Sequence, residues 1–186
     1  NGGSSVGIFA QSVGGGGGVS GNTDNNSDAG AYIGSAGGSG KSGVVSVTYG
    51  NQTKSRLRTA FDSVTAPGAH GIFAQSIGGI GTTTTTGTQV SVTVNQPIST
   101  PGAGSFGVYA QSGGDGMGAI DVTINRTASV TGGANATIPD AEDGAAIYVK
   151  GGTGSTFNNY GMIIAGQSGI AINALETKLK YNNKGT

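Results

Sequence analysis

The chain contains no cysteine and no tryptophan, and its only histidine is His70. Without cysteine there is no disulfide framework and no thiolate metal site, so packing and hydrogen bonds must hold any core. Charge is scarce too. Nine basic and nine acidic residues among 186 leave a formal net charge of zero. That balance argues against a nucleic-acid binder, which needs a basic surface. No apolar run approaches the ~20 residues of a membrane-spanning helix. Long amphipathic helices are also missing, and the best helical fragment, 171–180, is short. Glycine, by contrast, is abundant at 39 residues. Disorder is normally driven by high net charge and few apolar residues. Here the apolar segments alternate cleanly, which indicates an ordered β protein with turns of Gly, Asn, Asp, Ser and Thr.

One hexapeptide returns along the chain. Gly7-Ile8-Phe9-Ala10-Gln11-Ser12 recurs as Gly71-Ile72-Phe73-Ala74-Gln75-Ser76 and as Gly107-Val108-Tyr109-Ala110-Gln111-Ser112. Weaker copies start at Gly30, Ala146 and Gly169, so the steps run from 23 to 41 residues. A short strand recurring at such intervals signals stacked repeats, each leaning its apolar face on its neighbours. A second segment alternates with it: Val45-Ser46-Val47-Thr48-Tyr49, Val90-Ser91-Val92-Thr93-Val94 and Ile120-Asp121-Val122-Thr123-Ile124. Period-2 alternation of β-branched residues predicts half-buried strands. A third, smaller segment ends in glycine, as in Ile98-Ser99-Thr100-Pro101-Gly102 and Ser129-Val130-Thr131-Gly132. Three short strands separated by turns form one coil of a parallel β-helix. The bare coil is short, since Phe157-Asn158-Asn159-Tyr160-Gly161 recurs 24 residues later as Tyr181-Asn182-Asn183-Lys184-Gly185. The expectation is an all-β chain, 1–186, forming one β-helix of six to seven coils, with insertions near 53–63, 82–89 and 135–143. The chain opens and closes in mid-repeat, as a piece of a longer protein would.

The hexapeptide also assigns faces. Its second and fourth positions are uniformly apolar, whereas its fifth holds Gln11, Gln75, Gln111 and Lys150. A lysine inside a narrow β-helix is costly, so the fifth position points outward. Strand alternation then turns the third position outward as well. It carries Phe9, Tyr32, Phe73, Tyr109 and Tyr148, an aromatic ladder with rings about 4.8 Å apart where coils are adjacent. Either Gly-rich loops fold over these rings or a bulge turns them inward, or the ladder is an exposed platform that stacks on sugars or a partner protein.

Other motifs carry less. Ser39-Gly40-Lys41-Ser42 lacks the upstream glycine of a phosphate loop, because Ser35 stands there. Gly113-Gly114-Asp115-Gly116-Met117-Gly118 is a single copy of a turn that binds calcium only in tandem. The run Thr82–Thr86 is one row and not the flat array that binds ice. His70 reads as a turn residue before the hexapeptide, which leaves no base for a Ser-His-Asp triad. Carboxylates are scattered, and only Asp140-Ala141-Glu142-Asp143 clusters, inside an insertion. Lys54, Arg56 and Arg58 alternate within another insertion, either as a solvated loop or as a basic face for an anionic glycan.

The repeat grammar resembles the passenger domains of Gram-negative autotransporters. The residues that carry the likeness are the Gly-Ile-Phe-Ala-Gln-Ser repeat and the closing Asn159-Tyr160-Gly161-Met162-Ile163 with Ser168-Gly169-Ile170-Ala171-Ile172. The likeness spans most of the chain and implies a right-handed parallel β-helix, secreted or displayed at the bacterial surface through a C-terminal outer-membrane barrel that these residues do not include. It implies an adhesive stalk or binding surface for a host cell, a glycan or another passenger, with no cofactor and no metal. The alternative is a β-helical polysaccharide-degrading enzyme, which would gather three or more carboxylates in one groove.

Overall fold

A computed structural model describes residues 6–14, 40–50, 62–63, 70–79, 88–134, 144–175 and 177–186. These residues form fourteen strands and no helix. In chain order they are β1 (Val6–Val13), β2 (Val45–Tyr49), β3 (Asp62–Ser63), β4 (His70–Ile77), β5 (Thr88–Val94), β6 (Ile98–Ser99) and β7 (Phe106–Gly113). There follow β8 (Ala119–Ile124), β9 (Ser129–Thr131), β10 (Ala145–Gly151), β11 (Thr156–Asn159), β12 (Met162–Ile164), β13 (Ile170–Leu175) and β14 (Lys180–Asn183).

The strands fall into three parallel sheets and visit them in strict rotation. The first sheet runs β1-β4-β7-β10-β13, the second β2-β5-β8-β11-β14 and the third β3-β6-β9-β12. Each strand pairs with the strand three elements on, so every hydrogen-bonded neighbour is a distant chain segment. Local sequence alone cannot hold such a strand. Its ladder must come from the repeat before and the repeat after.

Matching side chains stack in columns. Ile72 pairs with Val108, and Val108 with Ile147. In the second sheet Val47, Val92, Val122, Phe157 and Tyr181 form one file. The alternating valines behave as their spacing predicts: Val45 and Val47 are buried, while Ser46 and Thr48 are exposed. The inward files of the first and second sheets meet, with Val130 and Ile98 of the third, in one core. A buried aliphatic side chain contributes about 1.5–3 kcal/mol, so this core dominates stability.

The glycine that opens the hexapeptide has a steric cause. A Cβ on Gly107 would lie 2.3 Å from Cγ1 of Val130 and 2.7 Å from the carbonyl oxygen of Ala146. There the chain leaves the third sheet and enters the first, and no side chain fits at the corner.

Two expectations need correction. The copy at 30–35, with Tyr32, lies outside the described residues, and β1 pairs directly with β4, so no strand stands between them. The first sheet therefore has five described strands, fewer than the six copies suggested. The copy starting at Gly169 is displaced by two residues: Ile147 pairs with Ile172, and Ile170 faces Ala145. Over 171–180 the described residues form no helix, as the absence of a long helical pattern leads one to expect: β13 ends at Leu175 and β14 starts at Lys180. The spans near 53–63 and 82–89 read as insertions lie mostly outside the described residues, and β3 (Asp62–Ser63) and β5 (from Thr88) stand at their C-terminal edges.

Candidate functional site

The outer face of the first sheet carries the aromatic ladder. Phe9 stacks on Phe73 with ring centroids 5.2 Å apart, Phe73 on Tyr109 at 4.6 Å, and Tyr109 on Tyr148 at 4.9 Å. Interplanar angles of 5–14° make this one continuous pile. The pile stands opposite the main core, as strand alternation requires, and forms a second core with Phe106 and Ala145. It is not an open platform. Phe73, Tyr109 and Tyr148 are fully buried, and only Phe9, on the edge strand, is 38% exposed. Asn173 continues the column beyond Tyr148.

The fifth position lies on the same outer face and is closed as well. Gln11 Nε2 donates to Gln75 Oε1 at 2.5 Å, and Gln75 Nε2 donates to Gln111 Oε1 at 2.7 Å. The Tyr109 hydroxyl donates to that same Gln111 oxygen at 3.1 Å. Gln75 and Gln111 are buried, contrary to the expectation of exposed amides. Stacked identical amides satisfy one another, so burial costs little. Lys150 holds the next register position and lines a 230 Å³ recess with Gln111, Met117 and Ile77.

His70 opens β4 and is buried, not placed in an exposed turn. Its ring stacks on Phe106 at 5.0 Å, and its Nδ1 accepts the backbone N–H of Phe106 at 3.1 Å. That bond requires an unprotonated Nδ1. Burial holds its pKa down at about 4, against an ordinary 6.5.

The remaining candidates do not converge. Lys54, Arg56 and Arg58 lie outside the described residues, as do Asp140, Glu142 and Asp143. Asp121 stands between Ser91 and Thr156 on adjacent strands, with no second carboxylate beside it. Among the described residues no group of three His, Asp or Glu side chains is placed to hold a metal ion. Gly114 and Gly116 take positive φ in the turn after β7, the backbone of a plain glycine turn. No described helix is long and apolar enough to cross a membrane, which says nothing of a β-barrel.

Sequence reading passed over one place. Between β8 and β9 the chain makes a tight turn in which the Ala128 N–H donates to the Asn125 carbonyl at 2.9 Å. Its tip displays Arg126 and Thr127, both exposed. On the next repeat, Tyr160 follows β11 at the same corner. Asn125, Arg126, Thr127 and Tyr160 together line a 350 Å³ recess. The available signal was an outward residue just past each second-sheet strand, as in Ile124-Asn125-Arg126 and Asn159-Tyr160-Gly161.

No family model, curated protein or solved structure matches the chain.

Proposed function

We propose that the chain is part of a right-handed parallel β-helix of about five coils within an autotransporter passenger, secreted or displayed at a bacterial surface. It acts as an adhesive stalk and binding surface toward a host cell, a glycan or another passenger. The observation that carries this reading is the strict rotation of strands through three parallel sheets, with similar side chains filed in register. Such a body lengthens by one coil per repeat and presents its corners along one side at fixed intervals, which suits a rigid spacer carrying contacts. A β-strand followed by a crossover to a parallel neighbour is right-handed in nearly all known cases, which supports the hand. The buried aromatic pile supports stiffness rather than ligand stacking, so the binding surface belongs to the corners. An outer-membrane barrel elsewhere in the full-length protein would anchor it.

The test is to couple the chain to fluorescent beads and measure attachment to host-type cells, binding to a glycan array, and bead clustering. At least one of the three is expected above a scrambled-sequence control. Absence of all three from folded protein would refute the adhesive reading, and release of reducing ends from a polysaccharide would replace it with the enzymatic one.

A further inference from the structure

The recess between the β8–β9 turn and Tyr160 has the parts of a ligand site. It is preformed. Asn125 Nδ2 donates to Asn95 Oδ1 at 2.6 Å, and the Thr127 hydroxyl donates to the Asn95 carbonyl at 2.9 Å, so the turn that displays Arg126 is pinned to the repeat before it. Gly161 permits the close approach on the other side. A Cβ there would lie 2.4 Å from the Ala128 carbonyl oxygen and 2.5 Å from that of Asn125. The corner bearing Tyr160 therefore nests directly against the turn bearing Arg126. The volume of 350 Å³ falls in the lower part of the range for small-ligand sites, about 300–1,000 Å³.

Its chemistry is specific. Arg126 is exposed at the turn tip and lines the recess. No described carboxylate lines the recess. Lys184 follows Asn183 as Tyr160 follows Asn159, and those two asparagines are register partners. A second exposed cation thus stands one strand beyond the ring. A guanidinium open to solvent suits a planar carboxylate, which it can grip through two parallel bonds. A tyrosine beside it offers an apolar ring face and a polar tip. Asn125 and Thr127 donate to Asn95, which leaves Asn125 Oδ1 and Thr127 Oγ1 acceptor capacity for sugar hydroxyls.

From this geometry we infer that the Arg126–Tyr160 corner binds a carboxylate-bearing saccharide. Arg126 grips the acid, the Tyr160 ring packs against the sugar face, and Lys184 draws the anion in. This names a ligand class for the adhesive surface proposed above and rests on that reading.

Binding of the folded chain to three probes of matched length tests it: an oligogalacturonate, an oligosialic acid and a neutral malto-oligosaccharide. Affinity for at least one acidic probe is expected, weakening as salt rises, with none for the neutral one. Arg126→Gln and Tyr160→Ala should each weaken binding at least tenfold, and Arg126→Glu, at an exposed turn tip that tolerates substitution, should abolish it. Circular dichroism checks the fold of each variant. Equal affinity of wild type and the two Arg126 variants for an acidic probe would overturn the assignment. So would preference for the neutral probe, or a failure to bind any of the three by protein that still attaches to cells. Those last two results would leave the adhesive reading standing.

Discussion

Truncation of Tyr109 to alanine probes the buried aromatic pile most directly. The ring is fully buried, sandwiched between Phe73 at 4.6 Å and Tyr148 at 4.9 Å, and touched from the side by Phe106 at 5.6 Å. Removing a large buried aromatic costs about 3–5 kcal/mol in transfer and cavity terms. Each lost stacking contact adds a fraction of about 0.5–1.5 kcal/mol. The expected loss for Tyr109→Ala is therefore at least about 4 kcal/mol, a large share of a typical domain's stability. Tyr109→Phe keeps the pile and loses only the hydroxyl. Gln111 Oε1 still accepts from Gln75 Nε2, so that loss should stay near 1 kcal/mol. Phe9→Ala removes a ring that is 38% exposed and stacked on one side, and should cost about 1–2 kcal/mol. Urea unfolding followed by circular dichroism measures all three. A Tyr109→Ala loss below about 1 kcal/mol, the size expected of an exposed site, would show that the pile is open to water. Equal losses for Tyr109→Ala and Phe9→Ala would refute the graded burial along the column.

Two further outcomes follow from the same face. Gln75→Asp should cost on the order of 2–4 kcal/mol, because a carboxylate there is buried and cannot donate to Gln111, whereas Ser46→Asp on the exposed side of β2 should stay within about 0.5 kcal/mol. A similar denaturation midpoint for the two variants would contradict the buried amide file. His70 makes stability acid-sensitive. Its pKa is about 4 in the folded chain and 6.5 in the unfolded chain, so above pH 6.5 both states are neutral and nothing changes. As pH falls from 6.5 to 4 the unfolded state gains a proton that the folded state refuses, and stability drops by on the order of 3 kcal/mol. Unfolding midpoints at pH 7.5, 5.5 and 4 should therefore fall more steeply for wild type than for His70→Gln, and parallel curves would remove the histidine from the account.

Much of the fold was legible because it depends on parity and repetition. In β2, β5 and β8 the valine and isoleucine positions alternate with polar ones, and alternation alone tells which of the two faces is inward. The same rule put Phe73, Tyr109 and Tyr148 on the opposite face from Ile72 and Ala74, which the two separate cores bear out. The grouping of strands was also readable, since Phe157 and Tyr181 recur with identical neighbours and pair in that register.

What parity cannot decide was left to tertiary structure. A shift of two residues keeps every side chain on its face, so alternation could not tell whether Ile170 or Ile172 pairs with Ile147. Burial of the outer face depends on what lies over it. A glutamine read as a solvent-facing residue is, once stacked on Gln11 and Gln111, a satisfied interior group. His70 looked like a turn residue because its partner, the Phe106 N–H, belongs to the next repeat. Arg126 and Tyr160 share a recess although more than thirty residues separate them in the chain. One strand's pattern determines which way its side chains point. Only the pairing of one repeat with the next determines which distant side chains meet, because every ladder bond in these sheets joins segments far apart in sequence.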